Sequence, residues 1–136
     1  MSARNLPNEQ QVEAACDRAV RAVHGELVLI GRGRSDGQQS PGIPSRRYYV
    51  NGHVFWWAPR AKRGRLSGAT AAFMQAEHSY GHIVGAGDDE DLREVIRATT
   101  SPGTVTAVRS LAWHFARAVM NRSGCAGETT CTESRL

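Results

Sequence analysis

The stretch Arg46-Arg-Tyr-Tyr-Val50, Asn51-Gly52, His53-Val-Phe-Trp-Trp57 constrains this chain more than any other. Two runs rich in aromatic and β-branched residues flank Asn-Gly, and both central residues of a type I′ turn need positive φ, which Asn and Gly tolerate best. The stretch therefore predicts a β-hairpin, stopped by Pro59 and followed by a basic loop, Ala61-Lys-Arg-Gly-Arg65. Its aromatic residues have two uses. They can cover a core, as the pull of aromatic burial favours. Alternatively Trp56 and Trp57 can stack on a base or ribose while arginine grips phosphate, as in single-strand binders.

A hairpin needs other elements to bury its faces, and the flanking sequence supplies them. Asn8-x-x-Gln11 is a capping box, and Val12, Ala15, Cys16, Ala19 and Val23 follow one helical face that Gly25 ends. Glu26-Leu-Val-Leu-Ile30 is too short and too branched for a helix and reads as a buried strand. The loop GRGRSDGQQSPGIPS invites a dinucleotide reading, but Gly31, Gly33 and Gly37 lack the G-x-G-x-x-G spacing, and Pro41 and Pro44 oppose a helix there. It is expected to be a basic, mobile loop.

From Ser67 to Tyr80 the pattern is helical, with Ala72, Phe73, Ala76 and Tyr80 at helical spacing, until Gly81, Gly85 and Gly87 break it. Asp88 to Asp91 places acidic groups at a helix N-terminus, with Leu92, Val95 and Ile96 as the buried face. Ser101-Pro102 starts a last helix, whose stripe of Val105, Val108, Ala112, Phe115 and Val119 runs up to Gly124. The order predicts an α+β domain, a small sheet with a β-hairpin covered by several helices collected in the second half. One globular domain is expected over 1–124, with a polar tail over 125–136.

Composition agrees with one core: 136 residues, 40% hydrophobic and 22% charged. No apolar run approaches the roughly 20 residues of a membrane helix, and no early segment looks like a signal peptide, so a cytoplasmic protein without a membrane partner is expected. Up to position 68 there are eleven basic and five acidic residues, and beyond it six and eight, so the first half would attract phosphate. Of three cysteines, Cys16 stands apart from Cys125 and Cys131. They read as reduced thiols or, second, as metal ligands.

The chemistry-bearing segment is Gln75-Ala-Glu-His-Ser-Tyr-Gly-His82, with one carboxylate and two imidazoles in eight residues. His78 and His82 are four apart, and on a shared helix face they can hold two positions of a zinc that Cys125 and Cys131 complete. The metalloprotease motif H-E-x-x-H puts the carboxylate inside the pair, whereas Glu77 precedes it. A zinc deaminase needs Cys-x-x-Cys, and five residues separate these thiols. Glu77 can instead act on a glycosidic bond, whose cleavage passes through a cationic sugar that a glutamate stabilises. A solvated glutamate and a satisfied histidine at a helix end fit the same residue types.

Over about half of its length the chain resembles the NADAR family. The resemblance rests on an ordered set: Phe55-Trp56-Trp57, Ala76-Glu77-His78-Ser79-Tyr80, the acidic helix Asp88 to Ile96, Ser101-Pro102, and Trp113 with Arg117, Val119 and Met120. It implies an N-glycosidase-like pocket for ribose or ADP-ribose linked to a base or amine; some members are associated with removing ADP-ribose from guanine or clearing riboflavin-pathway ribosylamines. Glu77 would be the catalytic carboxylate, oriented by His78. Trp56, Trp57 and Trp113 would line the pocket, and Arg46, Arg47, Arg60, Arg65 or Arg117 would bind substrate, with no metal or cofactor required. Val84 stands where the family has a lysine, the Leu-Ser-Asn-Phe-like entry is reduced to Leu66-Ser67-Gly68, and a closing Lys-Phe is missing after Met120. A hydrolase of ribosylated or ADP-ribosylated nucleotides is the leading expectation. The alternatives are a basic nucleic-acid-binding module using Tyr48, Tyr49, Trp56 and Trp57, and a zinc-stabilised domain, deaminase-like or structural.

Overall fold

The computed structural model describes residues 8–30, 42–100 and 105–123. The elements are α1 (Glu9–Ala22), β1 (Glu26–Leu29), β2 (Arg46–Val50), β3 (His53–Pro59), α2 (Gly68–Ser79), β4 (Ile83–Gly87), α3 (Asp89–Ala98) and α4 (Val105–Ser123). Among the described residues this is an α+β fold of four helices and one mixed sheet in the order β1-β2-β3-β4. No described helix is long and apolar enough to cross a membrane.

The hairpin forms as its turn residues dictate. Asn51 and Gly52 have φ of 50° and 83°, and β2 pairs antiparallel with β3 from Arg46↔Trp57 to Val50↔His53. Alternation then sends Tyr48, Val50, Phe55 and Trp57 to one face, and Arg47, Tyr49, Val54 and Trp56 to the other. Against the first face lie Val12, Cys16 and Val20 of α1 and Leu92, Val95 and Ile96 of α3. Against the second, where β4 adds Val84 and Ala86, lie Ala71 and Met74 of α2. Helix α4 serves both clusters, through Val108 and Ala112 on one and Ala116, Val119 and Met120 on the other.

The strand β4 corrects the expected order, because Gly85 and Gly87 are strand residues and not breaks. It pairs parallel with β3 from Phe55↔Ile83 to Pro59↔Gly87, so β3, α2 and β4 form a crossover unit and the helices are not gathered after the sheet. All five of its residues are buried, which removes the alternation by which a strand is usually recognised. Two further expectations change. Glu26 to Leu29 is an edge strand that leaves Val28 and Leu29 exposed, so it is not buried. The buried face of α2 is Thr70, Ala71 and Met74, turned away from the expected Ala72 and Ala76, and Tyr80 is 79% exposed.

The caps follow the sequence closely. Asn8 and Gln11 form a reciprocal capping box on α1, as Asp88 and Asp91 do on α3. Ser67 caps α2 by accepting from the Thr70 amide. In the α4 stripe Val108, Ala112 and Val119 are buried, whereas Val105 is exposed. The Ser101-Pro102 start, most of the Gly31 to Ser45 loop and the 125–136 tail lie outside the described residues.

Candidate active site

The end of α2 builds the site. Gly81, at φ 92°, follows the C-cap Tyr80; its amide donates to the His78 carbonyl at 2.9 Å, and the His82 amide donates to the Glu77 carbonyl at 3.0 Å. This is the Schellman arrangement, which brings the residue two past the cap against the third-last residue of the helix. Here those residues are His82 and Glu77. His82 Nδ1 lies 2.6 Å from Glu77 Oε1, and Trp56 Nε1 of β3 donates to the same oxygen at 3.2 Å. Among the described residues Oε2 takes no hydrogen bond. The Glu77 side chain is 23% exposed and that of His82 60%, so the pair is open to a ligand while anchored from within.

His78 points the other way. Its ring stacks on Trp113 of α4 at 4.0 Å between centroids and 7° between planes, and its carbonyl accepts from Arg109 Nη2. His78 is therefore held against α4 and does not bond the carboxylate as expected; His82 does that. The pair His78 and His82 also fails to share a helix face, because α2 ends at Ser79 and Gly81 turns the chain. Cys125 and Cys131 lie outside the described residues, and no group of three or more metal-ligating side chains gathers among those described.

The expected substrate-binding residues divide. Trp56 stays at the site, edge-on to Phe73 at 5.4 Å, with the Arg47 guanidinium 5.1 Å from its ring centre and 5.9 Å from that of Tyr49. Trp113 joins it through His78, and Arg117 is exposed on α4 in a shallow groove with Trp113 and His114. Trp57 is fully buried in the opposite face of the sheet, and Arg46 is 4% exposed and bound to Asp17, so neither is presented to a ligand at Glu77. Arg60 and Arg65 follow the far end of β3. At ~3.3 Å per residue along the strand, Arg60 stands roughly 13 Å from Trp56, the β3 residue that contacts Glu77. Arg60 is spent on its own loop, donating to the carbonyls of Arg65 and Pro59.

Burial lowers the His78 pKa, and Arg109 and Arg117 lower it further. Such an imidazole takes its proton more readily in the unfolded chain. Its contribution to stability is complete above its ordinary value of about 6.5 and is lost as pH falls from there through the folded value. Urea unfolding between pH 5 and 7.5 is thus expected to show stability rising with pH, and His78→Phe, which keeps a ring against Trp113, is expected to flatten that slope. An unchanged slope in the variant would assign it to other groups.

No family model, curated protein or solved structure matches this chain.

Proposed function

We propose that the chain is a hydrolase of the N-glycosidic bond in a ribosylated or ADP-ribosylated nucleotide or base, as the NADAR resemblance implies, with Glu77 as its catalytic carboxylate. The observation that carries this reading is a carboxylate anchored through one oxygen, by Trp56 Nε1 and His82 Nδ1, with the second oxygen uncommitted. Breaking a C–N glycosidic bond leaves positive charge on the sugar, and an anchored carboxylate facing that charge stabilises it without reorganising. Water adds to the sugar carbon as the bond breaks and gives its proton to Glu77. Protonated His82 supplies one to the leaving nitrogen, and the 2.6 Å contact returns the proton between them. Arg47 over Trp56 supplies positive charge for phosphate.

The test is release of free base from a panel of ADP-ribosylated and ribosylated substrates, followed by chromatography. Glu77→Gln is expected to lower the rate by about 10²- to 10⁴-fold, the range for a proton-transferring group, with an unchanged melting temperature. Equal turnover by that variant, or no release from any substrate, would sink the proposal.

A second reading, binding of single-stranded nucleic acid, draws on the outward face of the hairpin, where Tyr49 and Trp56 flank Arg47. It keeps half of the expected aromatic residues, since Tyr48 and Trp57 face the core. The two readings separate on Glu77→Gln, which removes turnover under the first and leaves strand binding intact under the second.

A further inference from the structure

A cavity formed by described residues lies away from Glu77, at the C-terminal ends of the parallel pair β3 and β4. From Pro59 the chain runs to α2 on one face of the sheet, and from Gly87 it runs to α3 on the other. Strands whose connections diverge in this way leave a crevice beyond their carboxyl ends, which is where open α/β sheets take ligands. Here α1 closes the crevice into a cavity of about 480 Å³ with largely apolar walls that include Val12, Ala15 and Ala61. That volume lies in the range of small-molecule sites.

The walls are held in place. Arg60 fixes the start of the loop over 60–65 to its own carbonyls, and Arg122 of α4 donates to the carbonyls of Gly64 at 2.9 Å and Ala61 at 3.0 Å. Glu9 of α1 accepts from the Ala61 amide at 3.3 Å. Two helices, α1 and α4, thus converge on this loop, so the cavity is formed before any ligand arrives.

Its polar groups indicate what it takes. Asp88 is 7% exposed, with Oδ1 accepting from the Asp91 amide and Oδ2 from Lys62 Nζ at 3.1 Å. Burial acts to raise the Asp88 pKa, but the Asp91 amide and Lys62 outweigh it, so the carboxylate is held below its usual range. The Lys62 side chain, by contrast, is 71% exposed and shared with Glu90 at 3.3 Å. A nearly buried carboxylate is therefore neutralised by a cation that reaches it from solvent. A ligand ammonium replaces that cation at constant charge, whereas an anion would lie against the nearly buried Asp88 and against Glu90; Asp89 is paired with Arg93, and the loop cations Lys62 and Arg63 offset the two carboxylates only in part.

We infer that this cavity binds a protonated primary amine carrying a small apolar or aromatic body, with the ammonium on Asp88 in place of Lys62 and the body against Val12, Ala15 and Ala61. The site is independent of Glu77, so its fate does not decide the glycosidase proposal. Amide chemical-shift titration of the full chain with phenethylamine, and with 3-phenylpropionate as the anion of matching shape, tests it. Phenethylamine is expected to saturate shifts around Val12, Ala61 and Asp88, and 3-phenylpropionate to leave them unmoved. Lys62→Ala removes the competing ammonium and is expected to tighten amine binding about two- to fivefold, the worth of an exposed ion pair. Asp88→Asn keeps the helix cap, since asparagine caps as well as aspartate, and is expected to abolish binding. Weaker binding in Lys62→Ala, retained binding in Asp88→Asn, preference for the carboxylate, or no shifts with phenethylamine would each overturn the inference.

Discussion

Asp17→Ala is expected to destabilise the fold by about 3–5 kcal/mol, the cost of breaking a buried ion pair from one side. Arg46 donates from Nε to Asp17 Oδ1 at 2.9 Å and from Nη2 to Oδ2 at 3.2 Å, and its side chain is 5% exposed. Tyr48, fully buried, donates its hydroxyl to the same Oδ1 at 2.9 Å. Truncating Asp17 leaves a buried guanidinium with Glu13 at 3.7 Å and the Ser45 hydroxyl at 3.4 Å, and a buried phenol without its acceptor. Replacing the pair together, as Asp17→Leu with Arg46→Met, is expected to recover most of the loss, because no charge is then stranded. Urea unfolding of the single and double variants measures this directly. A loss under 1 kcal/mol for Asp17→Ala would mean that water reaches Arg46 and that the pair is in effect a surface one.

The same pair shows what the sequence could and could not reveal. Adjacent arginines on a strand face opposite ways, so alternation alone separates Arg46 from Arg47, but it does not say which is inside. The signal lay on α1, where Glu13 and Asp17 are four apart and flank the buried Cys16, making an acidic edge beside an apolar stripe that a buried cation would match. The hairpin, the Asn8–Gln11 capping box and the acidic start of α3 were legible because each depends on local geometry that few residue types satisfy. By contrast β4 was hidden: two of its five residues are glycines, and burial on both faces erases the period of two. At the candidate site Glu77 and Trp56 were legible as candidates. The partnership of Glu77 with His82 was obscured by treating the two histidines as a helical pair. Gly81 was the clue, since a glycine just past a helix end places the next residue against the one five before it.

Trp57→Ala is expected to cost about 3–5 kcal/mol, the range for truncating a buried large aromatic residue. The indole is fully buried, edge-on to Phe55 at 6.4 Å, and lies directly over Gly85, its register partner on β4. A Cβ at position 85 would stand 2.4 Å from Trp57 Cζ3 and 2.7 Å from Cε3. Here glycine is required by the neighbour's volume and not by its own φ. Gly85→Ala is therefore expected to destabilise by about 1–3 kcal/mol, because the enclosed indole has no direction in which to retreat. The two substitutions are expected to be non-additive: once Trp57 is alanine, a methyl at 85 meets first the Ala112 Cβ, at 3.2 Å, and most of its cost disappears. Their coupling is expected within the range of about 0.5–3 kcal/mol for residues in direct contact, read from denaturant unfolding of the four proteins. Additive losses would show that the strand pair relaxes apart and that Gly85 serves the backbone alone. Non-additive losses would tie the seating of β4 on β3 to this contact, and with it the approach of Trp56, the next residue on β3, to Glu77.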